Sequence, residues 1–178
     1  MDKYFVLRLE SSLKAIKRKL LLNEKIRTLL YYDSDYMQEN KDTLSDPGIQ
    51  LVKDNIFLQP VVSNDIDPPF NKKNYIAITA AASGFTQQSE LAADHAIKIS
   101  VMVHKTNWVY DEDSIRVLHL IQEIINDLDG YKTACSNSLV YEQMLQTVID
   151  ESMTGYSVMF SIVDGLGVIK DWYDSKQF

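Results

Sequence analysis

The chain has 178 residues, 46% hydrophobic and 24% charged, which predicts one ordinary globular domain with a real core. Its apolar runs are far shorter than a bilayer span, and the single cysteine, Cys135, excludes an internal disulfide. The net charge of −7 is uneven: residues 1–30 carry eight Lys or Arg against three acids, and the remainder ten against twenty-two. So acidic a body argues against wrapping nucleic acid, which needs clustered cations for the phosphates.

The first residues, Met1 to Arg8, lack a sustained apolar core and a small-residue cleavage site, so no secretory signal is expected. The lone thiol fits a reducing compartment. Leu9, Leu13, Ile16 and Leu20 are spaced four, three and four and form one helical stripe. Lys14, Lys17 and Arg18 fall on the other side, either as a solvated face or as a surface for an acidic neighbour. Asn23 is placed to cap a second helix from Glu24 to about Tyr31, with Ile26, Leu29 and Leu30 buried.

Asp33 to Pro47 reads as polar and irregular, and Asp46-Pro47-Gly48 as a turn. A short helix or strand follows at Ile49–Val52. Asn55–Val62 has strand-forming residues, with Pro60 marking an edge or an end. Tyr75–Thr79 predicts a strand with Ile76 and Ile78 on one face. Ser83–Ala93 is a long connection. Ile97, Ile99, Val101 and Val103 then alternate with Lys98, Ser100, Met102 and His104, the period of a half-buried strand.

Ile115, Leu118, Ile121, Ile124, Ile125 and Leu128 recur at helical spacing. Asp111, Glu112 and Asp113 suit the start of that helix, and Gly130 its stop. Leu139–Ile149 suits a strand or a helix, and a strand is favoured because Tyr156, Val158, Phe160 and Ile162 form a clear following strand, with Met153-Thr154-Gly155 suited to the hairpin between them. The expected class is α+β: a mainly antiparallel sheet with the long helix 111–128 and the N-terminal helices packed on it. Residues 1–164 form the expected domain, and residues 165–178 a C-terminal extension.

The pattern contains no catalytic constellation. His95, His104 and His119 pair with no other ligand at a metal-binding spacing. Cys135 lacks a nucleophile signature. Gly165-Leu166-Gly167 lacks the third glycine of a dinucleotide loop, and Asp111-Glu112-Asp113 lacks the spaced ligands of a calcium loop. No catalytic residue, cofactor or metal is therefore expected. The one close polar cluster is His104, Tyr110 and Asp111. Aromatic groups remain at Trp108 and Tyr110, at Tyr31, Tyr32 and Tyr36, and in the tail at Trp172, Tyr173 and Phe178. Each either completes the core or anchors a partner. The candidate interface residues are Lys14, Lys17, Arg18, Trp108, Tyr110, Trp172, Tyr173 and Phe178.

This order of elements resembles the tail-terminator and tail-completion proteins of tailed bacteriophages. The matching segments are Ile26-Arg27-Thr28-Leu29-Leu30, Asn55-Ile56-Phe57-Leu58, Asn74-Tyr75-Ile76-Ala77-Ile78, Ile97 through Val103, Ile121 through Gly130, and Gly155 through Ile162. Asp33–Lys53, Ser83–Asp94 and the tail after Asp164 are longer than compact members need. The resemblance implies a non-enzymatic neck protein of the virion, assembled in the host cytoplasm. It implies a homo-oligomeric ring, commonly six-fold, meeting tail-tube, sheath or head-connector proteins. Genomic DNA would only pass through the lumen, and no membrane is involved. The alternatives are a non-viral adaptor or a small ligand-binding protein or enzyme.

Overall fold

The computed structural model describes residues 3–59, 74–82, 95–111, 114–134, 138–148 and 151–163. Four helices come first: α1 (Lys3–Leu22), α2 (Glu24–Tyr31), α3 (Ser34–Glu39) and α4 (Ile49–Val52). The strands β1 (Ile56–Phe57), β2 (Asn74–Ala82) and β3 (His95–His104) follow. A small hairpin of β4 (Val109–Asp111) and β5 (Ser114–Ile115) leads into α5 (Arg116–Leu128). The chain closes with β6 (Ser138–Val148) and β7 (Met153–Val163).

The main sheet has the order β1-β2-β3-β7-β6. Every pairing in it is antiparallel except β1 with β2, which is parallel. The class is α+β, as the sequence predicts. Strand alternation sorts the side chains onto two faces. Ile76, Ile78, Ile97, Ile99, Val101, Val103, Val158 and Phe160 form one core with Ile16, Leu20, Ile26, Leu30, Leu120, Ile124 and Leu128 of the helices. The opposite face holds a smaller cluster of Tyr75, Ala77, Met102 and Met153. Beside it, the hydroxyls of Ser100, Ser157 and Thr147 link in a chain at 2.8 and 2.5 Å.

The break between α1 and α2 falls at Asn23. Its side-chain oxygen accepts from the Ile26 amide at 3.2 Å, the expected N-cap. Its Nδ2 donates to Asp127 at 2.9 Å, which fixes the corner to α5. Lys19 and Lys25 flank the joint with ion pairs to Asp127 and Glu123. Gly130 has φ 77° and stops the chain just past α5, a conformation that suits glycine.

Several expectations need correction. The stretch after Asp33 is not irregular: Asp33 accepts from the Tyr36 amide at 2.8 Å and starts α3. Of the two outcomes left open for Ile49–Val52, the helix is the one that forms. β1 is only two residues long, and Pro60–Val62 lies outside the described residues. The long helix begins at Arg116, not at 111. Val109 pairs with Ile115 and Asp111 with Ser114, so the acidic stretch leads through a hairpin. Asp111 accepts from Lys41 at 2.9 Å instead of capping the helix, and Ile115 precedes α5 with no side-chain cap.

The later start shifts the buried stripe to Val117, Leu120, Ile121, Ile124 and Leu128, and leaves Leu118 exposed. Met153-Thr154-Gly155 is not the hairpin turn but the start of β7. A Cβ on Gly155 would fall inside the Val101 carbonyl, so the close approach of β3 leaves no room for a side chain there.

Candidate functional site

The candidate functional side chains occupy four places. The first is buried. Arg116 heads the inner stripe of α5, one turn before Leu120 and two before Ile124, and is fully buried. Its guanidinium donates to the carbonyls of Asn107 at 2.8 Å, Leu29 at 2.6 Å and Tyr32 at 2.7 Å, and to the Ser34 hydroxyl at 3.3 Å. Asn74 donates to the Leu29 carbonyl at 3.0 Å, Asn107 to Asn74 at 3.4 Å, and Asn55 to the Asn74 carbonyl at 2.9 Å. Burial lowers the Arg116 pKa to about 10, against opposing influences from Tyr110 and Asp33. The network joins the end of α2, the start of α3, β2 and the entry to α5.

The second place is a cleft of about 950 Å³ between α2, α3 and α5. Asn23, Thr28, Leu29, Met37, Tyr110 and His119 are among its walls. The Tyr110 hydroxyl lies 2.5 Å from Nδ1 of His119, and the Arg116 guanidinium carbon 5.3 Å from the centre of the Tyr110 ring. Burial raises the Tyr110 pKa. Of the polar cluster read from the sequence, Tyr110 lines this cleft and feels the charge of Asp111. His104 bonds Thr106 at 2.8 Å, and Asp111 bonds Lys41. Among the described residues, no group of three or more His, Cys, Asp or Glu converges to hold a metal.

The third place is a groove of about 400 Å³ beside α1, lined by Lys14, Lys17, Arg18, Leu21, Leu22 and Ile49. Lys14 and Arg18 are exposed, whereas Lys17 turns inward and donates to the Ile56 carbonyl at 2.5 Å. Lys14 meets Glu10 at 2.5 Å in an exposed helical pair. Leu22 is 61% and Ile49 39% exposed, so large apolar side chains border the cations.

The fourth place is the outer edge of β6. Its first part is covered: Gly130 N–H donates to the Leu139 carbonyl at 2.7 Å, and Leu139 N–H to the Tyr131 carbonyl at 3.0 Å. The Tyr141 amide donates to Asp129 at 3.0 Å. A bulge follows between Tyr141 and Gln143. Beyond it, residues 143–148 contain no charge and no proline, and Met144, Leu145 and Val148 are exposed.

The remaining sequence candidates are placed as follows. Trp108 is half-buried and packs near Tyr156, with ring centres 6.5 Å apart. Tyr110 lines the cleft. Trp172, Tyr173 and Phe178 lie outside the described residues. The buried polar network went unread in the sequence. One signal was present: Arg116 stands in phase with Leu120 and Ile124, so a charge occupies a core position of the helix.

Fold and surfaces together define an α+β protein with contact patches of contrasting chemistry. Residues 23–162 match the YomW family, and the chain belongs to that family. The family is phage-derived, which makes this a phage-associated protein. No curated protein matches the chain.

Proposed function

We propose that this protein is a structural subunit of a tailed-phage virion: a ring-forming tail terminator or neck protein that joins the tail tube to the head connector. It works through its surfaces, without a reactive centre. The phage-derived family and the α+β order of elements support the reading. The observation that carries it is the β6 edge. Past its covered first part and its bulge, residues 143–148 of this edge strand carry exposed apolar side chains and no charged or proline guard, which makes them a template for another strand. In an assembly, that edge takes a strand from a neighbouring neck or tail protein, while copies of this chain close a ring, commonly six-fold. DNA passes through the lumen, and the subunit resides in the tail or neck.

The test is deletion of the gene from the phage or prophage that encodes it, followed by electron microscopy of the particles. Unjoined heads and tails, or tails of unregulated length, are expected, with the chain found at the head–tail junction of normal particles. Normal infectious particles made without it would overturn the reading.

A further inference from the structure

We propose that the basic groove beside α1 receives the α3 segment of a second copy, so that subunits join head to tail. The inference deepens the ring reading and rests on it.

The groove combines two chemistries. Lys14 and Arg18 are exposed on one wall, and Leu21, Leu22 and Ile49 supply apolar surface. Its ligand must therefore be acidic and apolar at once. The α3 segment has that character. Asp33, Asp35, Glu39 and Asp42 are all exposed around it, and the one lysine there, Lys41, is engaged by Asp111. Tyr31 and Tyr36 are 45% and 46% exposed. Tyr36 stacks on Tyr32 with ring centres 4.9 Å apart and planes 7° from parallel. Tyr31 meets the same Tyr32 ring edge-on, and the Tyr32 hydroxyl donates to the Ser45 carbonyl. The aromatic ridge is thus held in shape before any contact, which lowers the ordering cost of docking.

The two patches belong to different parts of the body. The groove lies between α1 and α4, and α3 packs against β4. Each repels its own kind and attracts the other. A two-fold contact, which sets a patch against itself, is disfavoured. A head-to-tail contact is favoured, and it closes into a ring when its rotation divides the circle. The attraction weakens as salt screens the exposed charges.

The test uses the full chain in three charge-swapped forms. The groove form carries Lys14→Glu and Arg18→Glu. The ridge form carries Glu39→Lys and Asp42→Lys, which leaves the Asp33 cap intact. The third form carries all four changes. Native mass spectrometry and light scattering report the oligomer, and circular dichroism reports folding. The wild type should form rings. The groove and ridge forms should each be monomeric alone. Their equimolar mixture should form rings containing only even numbers of subunits, because each form can pair only with the other. The four-change form should assemble alone. If the groove form fails to fold, Arg18→Glu alone takes its place.

A wild type that stays monomeric at millimolar concentration overturns the inference. So do groove and ridge forms that assemble as the wild type does, or a mixture that stays monomeric. The proposed function is scored separately, on particles. A chain at the head–tail junction whose rings ignore these swaps keeps that reading and ends this one. Charge-obedient rings of a chain absent from virions do the reverse.

Discussion

Nη1 of Arg116 donates to the carbonyl of Leu29 at 2.6 Å, across 87 positions of sequence. That carbonyl sits near the C-terminal end of α2, where unpaired carbonyls gather the negative end of the helix dipole. All of the guanidinium's hydrogen-bond partners are oxygens of neutral groups, so the helix end and the entry loop of α5 together solvate a buried charge. With its pKa lowered by burial to about 10, the side chain stays protonated at neutral pH. Replacing it with Met would take this donor from the Asn107 and Tyr32 carbonyls, while the Leu29 carbonyl keeps Asn74. At about 1–3 kcal/mol for each orphaned buried group, the loss in unfolding free energy should be about 2 kcal/mol or more. Arg116→Lys should fall between the two, since one ammonium cannot span all four acceptors. Urea titration checks both. A Met variant within about 0.5 kcal/mol of the wild type would show that the network is dispensable.

Arg27 makes a second clamp, with a pH dependence of definite sign. Its guanidinium is buried and grips Asp46 with two nitrogens, Nε at 2.7 Å and Nη2, while Nη1 donates to the Leu21 carbonyl at 2.7 Å. The Arg27 hydrogen bonds, helped by the Gly48 amide, hold the Asp46 carboxyl below its ordinary value of 3.8. A depressed carboxyl contributes stability above its unfolded value, and that contribution is lost as pH falls through the folded one. The clamp should therefore hold at neutral pH and weaken below about pH 4. Melting curves between pH 7 and pH 3 should show the wild type losing Tm more steeply than Asp46→Asn at the acid end. Parallel acid limbs would mean that the pair contributes nothing to the pH response.

What could be read in the sequence was what local pattern determines. The alternation of Ile97, Ile99, Val101 and Val103 placed β3 and its inner face. Asn23 announced its cap, and Gly130 its stop. What escaped was decided by distant neighbours or by chemistry with two outcomes. Asp111 before an apolar helix suits a cap and a hairpin equally, and the pairing of Val109 with Ile115 decides for the hairpin. α3 is six residues long, too short for a periodic signal, and rests on the Asp33 cap. Lys17 carries the same charge as Lys14 and Arg18, but only the position of Ile56 turns it inward. Arg116 escaped because its acceptors come from segments 9 to 87 positions away.

Gly155 shows how a tertiary contact can fix one residue. It sits in β7 opposite Met102 of β3, and a Cβ there would meet the Val101 carbonyl carbon and oxygen, both backbone atoms. Backbone atoms cannot swing aside as a side chain can. Gly155→Ala must therefore push the two central strands apart along a register that runs from Ala96 to His104. A loss of about 2–4 kcal/mol is expected, at the upper end of single-substitution effects. Hydrogen exchange should show weakened protection centred on Val101 and Met102. An Ala variant with the wild-type melting temperature would place β7 farther from β3 than described.

The β6 edge allows assembly to be separated from folding. Leu145 and Val148 are exposed, on opposite sides of the strand, and make no part of either hydrophobic cluster. Changing them to Lys should alter unfolding free energy by no more than about 0.5 kcal/mol, as surface changes usually do. The same changes put two charges on the stretch after the bulge, the guard that edge strands commonly carry and residues 143–148 lack. An incoming strand would have to bury or displace those ammonium groups. Leu145→Lys with Val148→Lys should therefore fold normally, and it should still form rings, because the ring contact proposed above uses α1 and α3. It should nevertheless fail to restore joined particles when supplied to a phage lacking the gene. Normal titres from that variant would mean that the neck partner binds elsewhere. Lost titre together with lost thermal stability would instead trace the defect to folding.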